Sequence, residues 1–413
     1  MRIIIKSIIL LLFLLVINQQ SFAQCCAAGS PSTTNNLASD AENGIFNFSL
    51  SHRYSFSDTY YKGTQITDYQ YYKNSNYNFT NFLLSYSFSK NLSASGEIGY
   101  FENKSFVIPI SVSQDYNIKS KGFADAMFSL NYRLYYSEKF KFSVSTFEKF
   151  TLPVGQFGVE QDGVILPIDI QPSSGSFRFA QGLILSKTFR NDKLSLYSVN
   201  MYESSQRIES VNYKYGDLWM FSMGGNYQIS KRLSAKLMFR TMHRTQSFDF
   251  KQKESLQKIT ASGGDYFYSI PEISYQPNPN YSLSLLAEIP LYRNLNGTQM
   301  ANKYAIELKM SAKIDFSPEI PDSLLFKTTF SVYGACEMCK ERIEKTALKF
   351  PGIKKAYWNS ETNVLYVEAK KEFDVEKLKM KLAKVGHDSD TQKADDKVYN
   401  ALPACCHYRT VQP

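Results

Sequence analysis

The chain has 413 residues, a formal charge of +9 and a mean hydropathy of −0.31. Basic and acidic residues are well mixed, which excludes a nucleic-acid patch, and beyond the N-terminus no run of about 18–20 apolar residues could span a membrane as a helix. Yet 29 Tyr and 30 Phe make the chain 15% aromatic. High aromatic content at soluble-type hydropathy is the composition of a membrane β-barrel.

Residues 1–23 read as a secretory signal peptide. Arg2 and Lys6 supply the charged start, residues 8–17 the apolar core, and Ser21-Phe22-Ala23 the cleavage site. Residues 24–43 follow as a periplasmic N-terminal segment that opens with Cys25-Cys26.

A period of two then begins. In residues 46–56 the even positions are bulky except His52, and the odd positions are Asn47, Ser49, Ser51, Arg53 and Ser55. The same alternation recurs around 82–88, 92–100, 124–134, 140–146, 177–189, 194–202, 219–229, 233–239, 267–275, 281–291 and 304–316. Segments of this length cross a bilayer at a tilt. Short turns at 89–91, 136–139, 190–192, 230–232 and 276–280 alternate with long connections at 57–75, 102–121, 153–174, 204–215, 246–264 and 293–301. That rhythm predicts an all-β transmembrane barrel of about 12 antiparallel strands over 44–316, in the outer membrane, with both chain termini in the periplasm. In the last strand, Tyr304, Ile306, Leu308, Met310, Ala312, Ile314 and Phe316 are assigned to lipid. Lys303, Glu307, Lys309, Lys313 and Asp315 are assigned to the lumen. A soluble β-sandwich is the alternative, but its strands are usually shorter. The other expected lumen charges, Arg53, Asp125, Arg133, Lys236 and Arg240, form either a packed ion-pair network or a selectivity device.

Three short elements carry a resemblance: Gly122-Phe123-Ala124-Asp125, Leu152-Pro153-Val154-Gly155 and Pro172-Ser173-Ser174-Gly175-Ser176-Phe177. They resemble motifs of outer-membrane transporters of the phenol-degradation-pathway type, with Ala124 in place of a Gly and Val154 in place of a Thr. The resemblance implies passage of small solutes.

Residues 317–324, with Pro318 and Pro321, break both periodicities and read as a stiff linker. Strand is expected over 326–333, helix over 340–349, strands over 353–358 and 364–369, and a second helix over 375–385 closed by Gly386. This order is that of a small α+β ferredoxin-like domain, placed at 325–392. Cys336-Glu337-Met338-Cys339 sits where the first strand hands over to the first helix, whose dipole favours thiolates. In that position the motif resembles the heavy-metal-associated domain of copper chaperones and metal-pumping ATPases. Gly334 stands where those domains usually carry a Met.

Two thiolates three residues apart can converge on one soft ion, Cu(I) first, with Zn(II), Cd(II) or Hg(II) as competitors. Cys336 and Cys339 are therefore the candidate metal ligands. His387 is a candidate accessory ligand because the turn after the second helix lies near that loop in the ferredoxin-like order; a solvated turn histidine is the alternative. Cys405 and Cys406, in a Cys-containing tail over 393–413, are further accessory candidates, or a vicinal disulfide.

Nothing resembles a hydrolytic triad, a phosphate loop or a carboxylate dyad, so no enzyme is expected. The first reading is an outer-membrane barrel whose periplasmic domain binds a soft metal for transport or homeostasis, with membrane lipid, the ion, and periplasmic metal carriers or efflux proteins as partners. The second is a small-solute channel with a metal-sensing or scavenging tail. The third is a periplasmic thiol–disulfide protein. A metal pathway would place Met, His or Cys in the lumen, and Met238 and Met242 are expected there, beside the single His52 and His243.

Overall fold

The computed structural model describes residues 44–111, 114–189, 193–252, 255–315, 325–369 and 372–410. The signal peptide, the segment with Cys25-Cys26, Phe316 and the linker lie outside the described residues. The chain divides into two compact units, Met1–Phe316 and Ser317–Pro413.

The first unit is a closed barrel of twelve antiparallel strands. They are β1 (Ile45–Ser57), β2 (Asn74–Ser87), β3 (Leu92–Ser111), β4 (Ala126–Ser137), β5 (Phe142–Leu152), β6 (Arg178–Thr188), β7 (Leu194–Ser205), β8 (Leu218–Gln228), β9 (Leu233–Arg244), β10 (Gly264–Asn278), β11 (Tyr281–Ala301) and β12 (Tyr304–Asp315). Each pairs with its sequence neighbours. β1 and β12 close the cylinder, from Ile45 opposite Asp315 to Phe56 opposite Tyr304. Closure satisfies the backbone groups that an open edge would leave exposed to lipid.

The period of two sorts the side chains by polarity, in the reverse sense of a soluble sheet. On β1, Ser49, Ser51, Arg53 and Ser55 are buried while Leu50 is exposed. On β12, Glu307 and Lys309 are buried while Ile306, Leu308 and Met310 are 46–52% exposed. A β-sandwich would bury the second set. Here the apolar face is the outer one, and hydrocarbon is the medium that covers it favourably. Toward one end the outer face turns aromatic, with ring pairs Tyr54–Tyr304, Tyr202–Trp219 and Phe239–Phe267 at centroid distances of 6.3, 4.8 and 5.8 Å. Phe88, Phe140 and Tyr281 mark the end with the short turns. Two such girdles are what the two membrane interfaces select.

Two barrel strands run on into stretches expected as loops. β11 continues through residues 293–301 because Leu295 and Thr298–Ala301 pair with a strand at Thr59–Gly63. β3 continues to Ser111 against Gln114–Phe123. Local Pro, Asn and Gly disguised both; the partner of β11 is distant in sequence, whereas that of β3 is the strand that follows it directly. At 20 and 21 residues, β3 and β11 exceed the roughly 9–11 needed to cross a bilayer, so their ends extend past the wall on the long-loop side.

The second unit holds β13 (Phe326–Ser331), α1 (Glu337–Leu348), β14 (Ile353–Asn359), β15 (Val364–Ala369), α2 (Val375–Ala383) and a short α3 (Asp396–Asn400). The sheet order is β13-β15-β14, all antiparallel. A fourth strand beside β13 is represented, among the described residues, by one bridge between Val332 and Ser389. α1 buries Cys339, Ile343 and Ala347 at a spacing of four, and α2 buries Leu378 and Leu382. They pack on Phe330, Val332, Trp358, Leu365 and Val367. Asp374 caps α2 by accepting from the Lys377 backbone N–H at 3.2 Å.

Candidate functional sites: the plugged lumen and the thiol cluster

The barrel interior is built from buried charges set opposite one another. Glu288 on β11 holds Arg53 on β1 at 3.0 Å and Arg240 on β9 at 3.2 Å, and Arg53 lies 3.7 Å from Glu307. Glu272 pairs with Lys236 at 3.1 Å and with Lys309 at 3.9 Å. Glu203 pairs with Arg178 at 3.3 Å and with Lys149 at 3.5 Å. Arg53, Lys236, Arg240, Glu307 and Lys309 thus belong to a packed network. Arg133 instead lies over the Tyr136 ring near a short turn. Pairing of this kind offsets the desolvation of each ion and fixes register more than it adds stability. Lys149, Arg178, Glu203, Glu272 and Glu288 were not picked out from the sequence, although each lies on the inward parity of its strand.

Part of the long connection between β5 and β6 turns inward and plugs this interior. Ile170, Gln171, Ser173, Ser174 and Ser176 are all at most 4% exposed. Asp125, the residue just before β4, anchors the plug. Its carboxylate accepts from the Ser173 and Ser174 hydroxyls, both at 2.5 Å, and from the Ser174 backbone N–H at 3.1 Å. It also pairs with Arg178 at 3.2 Å. Lys104 donates to the Gln171 carbonyl at 2.8 Å, and Ser120 donates to that of Ile170. A void of about 10 Å³ lies between the plug, Lys104 and Arg178. Outside it, an open groove of about 750 Å³ is lined by residues including Glu102, Lys119, Lys121 and Gln156.

The three short elements singled out in the sequence meet here. Gln156 donates its backbone N–H to Phe123 and accepts from Ser173 through its carbonyl, each at 2.9 Å. Gly155 is needed for this approach, since a Cβ there would stand 2.3 Å from the Phe123 carbonyl oxygen.

Methionines do line the interior. Met201, Met220 and Met242 stand directly opposite one another across β7, β8 and β9. They share an apolar cluster with Phe147, Ile184 and Leu218, while Met238 packs with Tyr266 and Tyr268. These thioethers fill volume among apolar neighbours. His52 and His243 lie on the exposed face, bonded to Thr80 and Asp265.

In the second unit, Cys336 is the N-cap of α1 and Cys339 lies in its first turn. The helix starts earlier than expected and carries Cys339 into the core, where it is fully buried. The Cys336 Sγ lies 3.5 Å from the Cys339 Sγ and 3.5 Å from the Cys406 Sγ. All three sulfurs lie within 4.8 Å of one another. The four described cysteines are free; Cys405 is exposed and outside the three-sulfur group, although its thiol hydrogen-bonds with those of Cys336 and Cys406. Burial pushes the Cys336 thiol up, but hydrogen bonds from the Cys339 backbone N–H and from neighbouring thiols outweigh it and bring it down to about 7. Burial pushes Cys339 up to about 12. One thiolate forms readily at Cys336, and a bound cation would be needed to draw the proton from Cys339.

Gly334 has a clear reason. A Cβ there would meet the Cys339 Cβ at 2.9 Å and the Trp358 ring at 3.0 Å. Trp358 fills the inward space and ties its indole N–H to the Val332 carbonyl at 2.7 Å.

His387 is fully buried and is not a solvated turn residue. Its Nδ1 donates to the Tyr333 carbonyl at 3.0 Å, which fixes the tautomer and leaves Nε2 without a hydrogen-bond partner. Its ring stacks on Tyr408, and burial lowers its pKa to about 4. It is not among the three grouped ligands.

No family model matches the chain, at either end, and no curated protein matches it. Solved structures do. An outer-membrane channel from Pseudomonas putida F1 is 10% identical, with 69% of this chain and 100% of that chain covered and a TM-score of 0.54. The KdgM porin in complex with disordered oligogalacturonate (10% identity; 64% and 98% covered) and the NanC porin (10%; 65% and 100%) superpose at TM-scores of 0.35 and 0.37. The first of these likenesses establishes that the N-terminal unit has the fold of an outer-membrane β-barrel channel.

Proposed function

We propose that this chain is an outer-membrane channel for small solutes whose C-terminal unit captures a soft metal ion, Cu(I) first, through Cys336 and Cys339. The observation that carries the channel reading is the inverted barrel, apolar outside and charge-lined inside. The similarity of its fold to that of the Pseudomonas channel agrees with this reading. The short turns face the periplasm in this account, which puts the C-terminal unit there too. A plug held by hydrogen bonds and one small apolar cluster leaves a lumen that can admit solute when the plug shifts. Purified protein in liposomes is expected to speed swelling in small sugars or amino acids; vesicles as tight as protein-free ones would refute the channel.

The metal reading is supported by two free thiols 3.5 Å apart at a helix N-terminus. The β-α-β-β-α order supports a ferredoxin-like, heavy-metal-associated domain in this account. The inward methionines are packed among apolar side chains, which favours sensing or scavenging over handover through the lumen. Full-length reduced protein is expected to compete with a Cu(I) chelator, and Cys336→Ser with Cys339→Ser to abolish that competition. Equal competition by the double variant would remove the site.

A further inference from the structure

The C-terminal segment delivers a third sulfur. We propose that Cys336, Cys339 and Cys406 form a three-thiolate site for a soft d10 cation, with Cys406 a ligand in its own right. The proposal rests on the reading of the Cys336–Cys339 pair as a metal site.

Cys406 is 70 positions from Cys336, yet their sulfurs are as close as those of the two motif cysteines, at 3.5 Å. Three sulfurs around one ion at bonds of about 2.3 Å stand about 4 Å apart in a plane, so small side-chain rotations within the observed cluster suffice. The 3-10 turn Ala404–Cys406 sends Cys406 inward, fully buried, and leaves Cys405 exposed. Cys406 therefore meets the two motif thiols from within the core, and Cys405 reaches the cluster only from its exposed side.

The segment is held by a latch that does not touch the thiols. Arg409 grips Asp388 with two hydrogen bonds of 2.6 and 2.7 Å, reaches Asp396 at 2.6 Å and donates to the Ala394 carbonyl at 2.8 Å. Bidentate guanidinium–carboxylate pairing of this kind fixes orientation. Tyr408 donates to the Gly386 carbonyl at 3.0 Å, and Leu402 packs against Gly386, where φ is +97°. The latch thus positions Cys406 against the start of α1. There the Arg342 guanidinium lies 3.7 Å from its sulfur and offsets part of the charge three thiolates would bring. Each thiol gives up its proton as it binds, and no oxidant or reductant is needed.

The test uses the full-length reduced protein carrying Cys25→Ser and Cys26→Ser, so that only the four C-terminal cysteines remain. Cd(II) is titrated by its sulfur-to-metal charge-transfer absorbance, and Cu(I) by chelator competition. Cys406→Ser is expected to remove about a third of the Cd(II) absorbance and to weaken Cu(I) binding at least about 10-fold. Arg409→Ala is expected to weaken Cu(I) comparably with every cysteine intact, and Cys405→Ser to change neither readout. Buried Trp358 fluorescence checks that each variant is folded. If Cys406→Ser binds as the parent does while Cys336→Ser with Cys339→Ser binds nothing, the third ligand is rejected and the two-sulfur site stands. Binding that survives in the double variant overturns both.

Discussion

Replacing Asp125 with alanine is expected to unplug the lumen and to cost the barrel about 3–5 kcal/mol, the usual penalty for removing one partner of a buried ion pair. The carboxylate is 4% exposed and is the common acceptor for Ser173, the Ser174 hydroxyl and backbone N–H, and Arg178. Without it, those donors lose their partner in a buried site, and the Arg178 charge is left to Glu203 alone. The plug then keeps its links to Lys104, Ser120 and Tyr215, its bonds to Gln156 and Gln206, and the apolar contacts of Leu166 and Ile170. Urea unfolding in lipid, read by heat-modifiable migration, measures the stability. Protease cleavage within residues 159–177 in the folded variant measures the release. Unchanged stability with a protected plug would show that Asp125 is not the anchor.

The second unit is expected to lose on the order of 3 kcal/mol of stability between pH 7 and pH 4, through His387. The imidazole is held neutral in the fold with a pKa of about 4, against about 6.5 in the unfolded chain. The unfolded state therefore binds more protons between these values, and stability is full above 6.5 and falls as the pH drops towards 4. Burial is the main cause. The neighbouring Arg342 lowers the pKa further, while Asp388 and the bond to Tyr333 raise it. Asp388, held below the usual carboxylate range against burial by Arg409, adds its own loss only at more acid pH. Trp358, with no exposed surface, reports on this unit once Trp219→Phe removes the other tryptophan. Metal-free urea midpoints at pH 7.5 and 5 are expected to differ, and His387→Leu to flatten the difference. A pH-independent midpoint in the parent would contradict the buried neutral imidazole.

The barrel was largely legible because its information is local. Alternation in residues 46–56 and 304–316 fixes which side chains face in, and β1 and β12 obey it residue by residue. Rhythm of short and long connections gave the strand number. The plug was not legible, because whether a connection turns into the lumen depends on distant partners such as Asp125 and Lys104. Asp125 stood out only within a short motif, and the meeting of three motifs at one place is a tertiary fact. In the second unit, spacing identified Cys336 and Cys339, but no spacing joins Cys406 to them across 70 positions. Nor could it separate Cys406 from Cys405; a 3-10 turn makes that choice. His387 was a candidate ligand or a solvated turn histidine, and its burial was not legible locally. The tail that covers it, through Tyr408 and Arg409, lies some twenty residues on.

The most direct measurement is single-channel current across a planar bilayer, recorded for the wild-type protein and the Asp125→Ala variant side by side. Both are first shown to be folded by heat-modifiable migration. A plugged solute channel predicts discrete, small and infrequent conductance steps for the wild type, and larger, longer-lived ones for the variant. A bilayer that stays electrically silent with both folded proteins would contradict it.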